Sequence, residues 1–258
     1  MKAVVLCGGL GTRLREETEY RPKPMVEIGG RPILWHIMKM YAHHGFREFV
    51  LCLGYRGNMI KEYFLNYEAM NNDFSICLGR QSQICYHGTH DEQGFAVTLA
   101  DTGLNTMTGG RVRRIQRYVQ DEPFMLTYGD GVADIGLDEL LKFHAAHGKT
   151  ATVTGVRPLS RYGELLVEDG RVREFSEKPP AQEAYISGGF FIFQRRFFEY
   201  LSDDDACVLE REPLERLSRE GQLMSYVHKG FWHCMDTYRD FVALNELWKK
   251  GAPWKVWD

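Results

Sequence analysis

The strongest constraint on the fold is an alternation of short apolar runs with segments whose apolar residues recur at helical spacing. The runs predict buried strands, and the spaced segments predict amphipathic helices. Strands are predicted at 3–6, 49–53 and 124–128, and helices at 32–44, 59–69 and 137–146. Because alternating strands and helices form parallel sheets covered by helices on both faces, we expect an α/β fold with a three-layer, mostly parallel sheet.

The second half of the chain shows strand-like runs separated by short turns. These runs lie at 151–156, 164–167, 171–175 and 189–193. Their close spacing predicts mixed, partly antiparallel pairing. Thr237 is placed to cap a last helix that ends near Lys249, with Asp240 completing an imperfect capping box.

Composition excludes several classes of partner. The 258 residues carry a formal net charge of −3, which lacks the basic excess of a nucleic-acid-binding protein. Uninterrupted apolar stretches stay below about 18 residues, and a strand pattern that begins at Lys2 leaves no room for a signal peptide. We therefore expect one cytoplasmic, globular domain with neither a nucleic acid nor a membrane as partner.

The cysteine and histidine residues favour structural roles. The six cysteines form no CxxC pair, and most lie in apolar runs typical of buried, reduced thiols. His144 and His147 have a spacing that metal ligands on a helix can use, but no cluster of further ligands accompanies them. They more simply flank a helix end that is capped at Gly148.

A glycine-rich loop with the sequence GGLGTR occupies residues 8–13, directly after the first strand. Leu14 breaks the GxGxxG pattern of dinucleotide-binding folds, and no GxxxxGK[ST] sequence is present, so two common phosphate motifs are excluded. Amides that face an anion, the hydroxyl of Thr12 and the fork of donors on Arg13 still suit phosphate oxygens. The loop therefore predicts a site for a triphosphate tail.

Lys23 is held between two prolines. Because Pro22 and Pro24 fix their φ angles, the backbone that carries this ammonium has little freedom. A solvated loop lysine is the plain alternative, since most lysines lie on the surface. The acidic residues elsewhere in the chain favour a pre-positioned lysine that meets a phosphate.

Two aspartates predict a metal site. Asp130 follows the strand 124–128 between two glycines, at the strand end where ligands bind in open α/β sheets. Asp236 follows another extended segment and would complete an oxygen site for Mg²⁺, which takes one or two carboxylates together with substrate phosphates. For Asp236 an acid placed at a helix start by the helix dipole is an equal alternative.

Residues 177–189 suit a second anionic substrate. Lys178 lies between Glu177 and Pro179, beyond a predicted strand, and is thus another proline-braced cation. The pair Gly188-Gly189 allows the backbone to approach a sugar-sized ligand closely.

A set of short motifs recurs in order along the whole chain. They are GGLGTRL (8–14), PKPM (22–25), GDG (129–131), EKP (177–179) and Gly188-Gly189, with longer matches at MVEIGG (25–30), ILWHIMKMY (33–41), YGDGVAD (128–134) and GAPWK (251–255). In this combination the chain resembles the sugar-1-phosphate nucleotidyltransferase family, and within it the cytidylyltransferase branch. The resemblance is poorest at 71–93.

This resemblance implies the nucleotide-diphospho-sugar transferase fold. A Rossmann-like nucleotide-binding half is implied at about 1–135 and a smaller, partly antiparallel sugar-binding half at about 136–258, within one domain. The implied reaction converts CTP and α-D-glucose 1-phosphate to CDP-glucose and pyrophosphate, with Mg²⁺ as cofactor. A homo-oligomer, with a hexamer as the suggested size, and a place in O-antigen polysaccharide synthesis are also implied.

The same resemblance assigns roles to residues. Arg13 and Lys23 are the implied catalytic cations, and Lys178 would clamp the sugar phosphate. The implied nucleotide site is Leu6, Gly8, Gly9, Leu10, Gly11, Thr12, Arg13, Lys23, Thr106, Arg111 and Gly129, the sugar-phosphate site Glu177, Lys178, Gly188 and Gly189, and the metal site Asp130 and Asp236. From the residues alone, a first-turn cation of a surface helix is an open alternative for Arg111.

The identity of the base cannot be inferred from a contact. We expect the groups that select cytosine at 78–83, where Gln83 can present either face of its amide. These residues belong to the irregular segment 71–110, in which strands are weakly predicted at 75–78 and 95–99. A uridylyl- or thymidylyltransferase on another sugar phosphate, a metal-dependent glycosyltransferase and a non-catalytic sugar-nucleotide sensor stay open as alternatives.

Overall fold

A computed structural model of the protein describes residues 1–79, 83–119, 122–157, 163–168, 171–177 and 185–257. Its strands are β1 (Ala3–Cys7), β2 (Glu27–Ile28), β3 (Arg31–Pro32), β4 (Glu48–Leu53), β5 (Phe74–Ile76), β6 (Ile84–Tyr86), β7 (Ala96–Asp101), β8 (Phe124–Tyr128), β9 (Gly131–Ala133), β10 (Ala151–Val156), β11 (Gly163–Glu168), β12 (Arg171–Glu177), β13 (Ile186–Phe193), β14 (Leu223–Val227) and β15 (Trp232–Cys234). Its α-helices are α1 (Arg15–Thr18), α2 (Ile33–His43), α3 (Gly57–Leu65), α4 (Tyr67–Asn71), α5 (Thr108–Arg114), α6 (Gln116–Val119), α7 (Leu137–His147), α8 (Glu212–Arg219) and α9 (Tyr238–Lys249).

Seven of these strands form the central sheet, in the order β14-β10-β13-β8-β1-β4-β7. β1 pairs in parallel with β4 and β8, and β4 pairs in parallel with β7. β13 runs antiparallel to its neighbours β8 and β10, whereas β14 is parallel to β10. The expected mostly parallel sheet is confirmed, and the mixed pairing expected of the second half enters it through β13.

The two faces of the sheet carry separate apolar cores, because successive side chains on a strand point to opposite faces. On β1, Val5 belongs to the core that includes residues of α2, α7 and α9. Its neighbours Val4 and Leu6 belong to the core that includes residues of α5 and α8. The sheet therefore lies between two layers of helices, which confirms the three-layer arrangement.

The helices agree with the sequence except where one of them breaks. The ends of α2 and α7 lie within about one residue of those predicted. The predicted helix 59–69 is instead two helices, α3 and α4, separated at Asn66. The side chain of Asn66 donates a hydrogen bond to the carbonyl oxygen of Glu62, and such local bonds compete with helix continuation. None of the helices in the described ranges has both the length and the apolar character needed to cross a membrane.

The segment 71–110 contains a hairpin of which the sequence predicts one strand: the predicted strands 75–78 and 95–99 overlap β5 and β7, whereas β6 was not predicted. β5 and β6 pair antiparallel, and the side chains of both strands are exposed. Without a buried face these strands lack the alternation by which a strand is identified. Cys77 directly follows β5, Cys85 lies in β6, and both are exposed. The expectation of a buried thiol is therefore wrong for these two cysteines, and it is confirmed for Cys7 and Cys52.

Two predicted helix caps are confirmed, one at the end of α7 and one at the start of α9. After α7, Gly148 has a left-handed φ of 62°, and the preceding His144 and His147 both bond to the hydroxyl of Thr152. These histidines therefore join the helix to β10. At α9, Thr237 and Asp240 form both halves of a capping box. The smaller Asp thus replaces the usual Glu without loss of either hydrogen bond.

His36 lies in an aromatic cluster at the start of α2. It is completely buried and packs edge-on against Trp35 and Trp248. Its Nε2 donates to the carbonyl oxygen of Ile28 at 2.8 Å, and its Nδ1 accepts from Nε1 of Trp254 at 3.4 Å. An imidazole that donates at one nitrogen and accepts at the other is neutral. Burial accordingly lowers the pKa of His36 from 6.5 to about 4.

Stability should therefore fall as the pH falls from 6.5 toward 4. In this window the unfolded chain binds a proton at His36 that the folded protein excludes, so acid favours unfolding. We expect about 1 kcal/mol of this loss between pH ~6.5 and ~5.5. The free energy of unfolding, measured with urea at several pH values, should decrease less with falling pH in His36→Gln than in the wild type. An equal pH dependence of the unfolding free energy in the two proteins would contradict a neutral imidazole at His36.

Candidate active site

A cleft of about 520 Å³ opens at the carboxyl ends of β1 and β8. Its walls are the glycine loop 8–13, the turn that carries Lys23, the segment 104–108 and the end of β8 with Asp130. Because β1 and β8 are parallel neighbours, the segments that follow them emerge at the same edge of the sheet. The structure thus brings together the loop, Lys23 and the first aspartate, as the sequence predicts. Leu6, Leu10, Thr12, Thr106, Arg111 and Gly129 also line this cleft.

The glycine loop lies against the side chain of Arg111. A Cβ on Gly8 would lie 2.2 Å from Nη1 of Arg111, and a Cβ on Gly54 would lie 2.5 Å from the same atom. Gly11 has a left-handed φ of 66°, which favours glycine, and begins the turn that follows. Gly9 is exposed and has no atom within 4 Å of its Cβ position. Packing therefore requires glycine at 8, whereas the space beside Gly9 is open.

Arg111 is a buried anchor of this loop, with only 4% of its surface exposed. Burial lowers its pKa. Its guanidinium donates to the carbonyl oxygens of Gly8, Leu53, Gly103 and Leu104 and to the hydroxyl of Thr102. The interpretation of Arg111 as a cation on a helix surface is therefore wrong. Thr106 is also buried, and its hydroxyl accepts a hydrogen bond from Arg114.

Lys23 bridges the two predicted metal ligands. Its Nζ lies 2.5 Å from Oδ2 of Asp130 and 2.8 Å from Oδ1 of Asp236. Arg13 adds a second cation, with Nη1 2.9 Å from Oδ2 of Asp236. Burial alone would lower the pKa of Lys23, but the charge and hydrogen bonds of the two carboxylates outweigh it and raise that pKa. Lys23 is therefore charged and held in place, and the solvated-lysine interpretation is wrong.

Gly129 lets the lysine turn approach β8. A Cβ on Gly129 would lie 2.9 Å from both the ring of Pro24 and the carbonyl oxygen of Leu6. The proline next to Lys23 therefore packs directly on the backbone of Gly129. This contact brings the ammonium to Asp130, one residue further along the chain.

The two aspartates meet through a pair of short strands. β9 follows Asp130 and pairs antiparallel with β15, which precedes Asp236. The amide of Met235 also donates to the carbonyl oxygen of Asp130 at 2.8 Å. On the other side, the amide of Asp236 donates to Oδ2 of Asp240 at 3.1 Å, within the capping box of α9. Asp236 is thus both an acid at a helix start and the ion-pair partner of Lys23 and Arg13, which line the cleft, so the two interpretations are compatible.

The acidic cluster has ligand atoms suited to a metal ion. One ligand atom from each of Asp130, Cys234 and Asp236 lies within 4.8 Å of the other two. Two carboxylates suit a hard cation such as Mg²⁺. Burial, and then the charges of Asp130 and Asp236, raise the pKa of Cys234, so the thiol keeps its proton. The sequence analysis missed Cys234; its position two residues before Asp236 in an extended segment, which places both on one face, was the available signal.

The residues expected on the sugar-phosphate side are described only in part. Lys178 lies outside the described residues, and Glu177 is the last residue of β12. Gly188 and Gly189 lie in β13, where a Cβ would lie 2.8 Å from Val156 and 2.6 Å from the ring of Tyr128, respectively. The protein's own side chains therefore take the space that these two glycines leave.

The comparisons with known proteins agree with this geometry. Residues 2–250 match the family model described as Nucleotidyl transferase. The chain belongs to the nucleotidyl transferase family. It is 51% identical over 260 residues to a glucose-1-phosphate cytidylyltransferase from Salmonella typhi, and the alignment covers 100% of both chains. A Bacillus subtilis protein described as a probable glucose-1-phosphate cytidylyltransferase is 45% identical over 258 residues, again across both full chains.

A solved structure supports the fold of this nucleotidyl transferase. HddC from Yersinia pseudotuberculosis has a TM-score of 0.69 at 21% sequence identity, over 96% of this chain and 99% of that one. At this identity the likeness concerns the fold alone. It confirms the nucleotide-diphospho-sugar transferase fold that the sequence motifs imply.

In this nucleotidyl transferase, Gly8→Ala should lower the unfolding temperature and weaken nucleotide binding. The added methyl displaces the guanidinium of Arg111 from its acceptors, and each buried donor left unsatisfied costs about 1–3 kcal/mol. Gly9→Ala is the matched control, because it adds the same methyl in the same loop where no atom lies within 4 Å. We expect the control to change stability by less than about 0.5 kcal/mol. The unfolding temperatures of both variants test this explanation. Equal decreases in Gly8→Ala and Gly9→Ala would show that contact with Arg111 is not the reason for glycine at position 8.

Proposed function

We propose that the protein transfers a cytidylyl group from CTP to α-D-glucose 1-phosphate, giving CDP-glucose and pyrophosphate. The observation that carries this proposal is the ion cluster of Lys23, Asp130 and Asp236 beside the glycine loop. The base and the sugar come from the relatives, of which two that match along their full length carry the name glucose-1-phosphate cytidylyltransferase. The fold alone does not choose the substrates, because one fold hosts many reactions.

The reaction requires two polyanions to meet. An oxygen of the sugar phosphate attacks the α-phosphorus in line, the new P–O bond forms, and the bond to pyrophosphate breaks with its electron pair on the leaving group. A sugar phosphate is already ionised at neutral pH, so the attack needs no general base. Fixed positive charge that meets the developing negative charge is then the main catalytic contribution.

The residues of the cleft supply this charge at separate points. Lys23, charged and braced by prolines, would neutralise the oxygens of the α-phosphoryl group in the transition state. Arg13 is 69% exposed and free to move from Asp236 to the β- and γ-phosphates, which the amides of the loop 8–13 would also bind. Lys178 is proposed for the sugar phosphate on the sequence motif alone.

Asp130 and Asp236 would hold Mg²⁺. Bound there, the metal supplies positive charge that neutralises the phosphate oxygens of the nucleotide. The donor set fits this ion, since both residues offer carboxylate oxygens and the neighbouring thiol of Cys234 stays protonated. Lys23 bonds to the same carboxylates, so its ammonium and a divalent cation compete for their oxygens.

Two other functions stay as alternatives for the same site. A uridylyl- or thymidylyltransferase would need the same cations, and the groups that would distinguish the bases were expected at 78–83, of which 80–82 lie outside the described residues. Gln83 is exposed. A non-catalytic sensor would bind the sugar nucleotide without turnover. The full-length relatives favour the cytidylyltransferase over both.

A matrix of nucleotides and sugar phosphates tests the proposal. CTP, UTP, dTTP and GTP are each paired with glucose 1-phosphate, mannose 1-phosphate and N-acetylglucosamine 1-phosphate, and pyrophosphate release is measured. We expect CTP with glucose 1-phosphate to give the largest kcat/KM, by at least about tenfold, or ~1.4 kcal/mol of transition-state stabilisation. A larger value for another pair would replace the proposed substrates. Binding without turnover in every pair would favour the sensor.

Lys23→Met should separate catalysis from metal binding. Loss of the ammonium should lower kcat by at least about 100-fold, because it removes a charge that acts in the transition state. The same change removes one cation from both carboxylates and leaves Asp236 with Arg13, so nucleotide-free Mn²⁺ should bind at least about tenfold more tightly. Electron paramagnetic resonance titration measures the metal directly.

Asp236→Asn is a second test of the metal site, and Lys249→Met is the control variant. Asp236→Asn removes one charge from the metal site and should weaken Mn²⁺ binding and raise the magnesium requirement. Lys249→Met removes an exposed lysine on α9 and should leave kcat and metal binding unchanged. An unchanged metal titration in both Lys23→Met and Asp236→Asn would refute the metal assignment.

Assembly and location stay predictions from the sequence. A homo-oligomer, a cytoplasmic location and a division near residue 135 into nucleotide-binding and sugar-binding halves are proposed with the activity. Analytical ultracentrifugation measures the oligomeric state directly.

A further inference from the structure

We infer that Glu210 is a positioning residue for the transfer reaction, because its carboxylate fixes two residues of the cleft wall, Tyr128 and Thr108. The inference rests on the proposed function. Glu210 is exposed and lies outside the residues that line the cleft, so it acts through the two hydroxyl groups that it accepts from.

The carboxylate of Glu210 joins two elements. Its Oε1 accepts a short hydrogen bond from the hydroxyl of Tyr128, at the end of β8. Its Oε2 accepts from the hydroxyl of Thr108, the first residue of α5, at 2.6 Å. A phenol hydroxyl can donate and a carboxylate can only accept, so Tyr128 is the donor of its bond to Glu210. Thr108 in turn accepts from the amide of Leu209 at 2.9 Å.

Backbone bonds hold the segment 204–210 on the first turn of α5. The amide of Met107 donates to Asp205, and the amide of Gly110 donates to Cys207. Gly109 allows this close approach, since a Cβ there would lie 2.6 Å from Sγ of Cys207. Glu210 is therefore presented from a fixed segment and can hold the hydroxyl of Tyr128 in one place.

Tyr128 lies where the two substrates would meet. It ends the strand that leads to Asp130, and its ring packs against the backbone of Gly189 in β13. Thr108 also lines the cleft, two residues after Thr106. The bond system of Glu210 thus ties the wall near the proposed sugar phosphate to the wall near the proposed nucleotide.

This placement predicts an effect on kcat rather than on binding. The charges that would bind the substrates, on Lys23, Arg13 and the two aspartates, bond to one another and not to Glu210. Without Glu210 both substrates should still bind, but the ring of Tyr128 would lose its fixed position. In-line attack is sensitive to displacement, and about 1 Å of misplacement costs up to about 100-fold in rate.

Glu210→Gln and Tyr128→Phe test the inference with the fastest substrate pair of the matrix. Glutamine has one carbonyl oxygen and so accepts well from only one of the two hydroxyls, and phenylalanine removes the donor. Each change should lower kcat by about ten- to 100-fold, with both KM values within about threefold of the wild type. Because both changes disturb one system of bonds, the double variant should be slowed by less than the product of the two single effects.

Conservative and control variants keep this test independent of folding. Thr108→Ser retains the hydroxyl and should retain the rate, whereas Thr108→Val should match Glu210→Gln. Glu212→Gln removes a nearby exposed carboxylate that pairs with Arg219, and should leave kcat unchanged. All variants are compared with the wild type by thermal unfolding.

Three results would overturn the inference. These are a kcat for Glu210→Gln within about twofold of the wild type, a change of either KM beyond about tenfold, or multiplied effects in the double variant. An active wild type with an unaffected Glu210→Gln refutes the positioning role alone. A wild type that turns over no pair refutes the proposed function, and the positioning role with it.

Discussion

The ammonium of Lys23 between two carboxylates is the interaction on which the rest of the site depends. Its partners Asp130 and Asp236 are 107 and 213 positions away along the chain, so no local preference can bring them together. An ammonium this far removed from water is tolerable only beside opposite charge. Several packing features exist to make this meeting possible: the close approach of Pro24 to Gly129, the pairing of β9 with β15, and the capping box of α9.

The charges of this cluster cancel, and that balance shapes the proposed chemistry. Lys23 and Arg13 supply two positive charges against those of two aspartates. A triphosphate brings several further negative charges, so the site needs additional positive charge when the nucleotide enters. A divalent cation that arrives with the nucleotide would satisfy the carboxylates and release both basic side chains toward phosphate oxygens. In the proposed mechanism, neutrality of the cluster would thus favour joint binding of metal and nucleotide over either alone.

The sequence predicted those parts of the fold that depend on local pattern. The strand 124–128 and the strand 151–156 match β8 and β10 at both ends, because apolar runs bounded by breakers define buried strands well. The break at Asn66 was missed, since it depends on one side chain that bonds back to its own helix. In the hairpin of β5 and β6, the strand β6 was missed because its side chains have no buried face.

Within the site, the residue types were predictable and their supports were not. Local signals identified these residues: Lys23 and Asp130 are charges flanked by prolines or glycines, and Asp236 follows an extended segment. The guanidinium of Arg111 has four carbonyl oxygens and a hydroxyl as acceptors, and two of these, on Gly8 and Leu53, are 103 and 58 positions away, so sequence position made it resemble a surface cation. Cys234 is part of the cluster only because β15 pairs with β9.

The glycines show how one sequence signal can have two physical causes. A glycine motif beside a cleft suggests bare backbone that meets a ligand, yet the missing side chains of Gly8, Gly129 and Gly189 leave space that Arg111, Pro24 and Tyr128 fill. Each contact holds a side chain of the cleft in place: Arg111 anchors the loop, Pro24 sets Lys23, and Tyr128 forms the wall. Only Gly9, of the loop's three glycines, has both an exposed backbone and open space beside it. In the proposed mechanism the glycine motif therefore acts on the substrates largely through the side chains that pack against it, and a substitution at one of these positions is expected to disturb residues far away in the sequence.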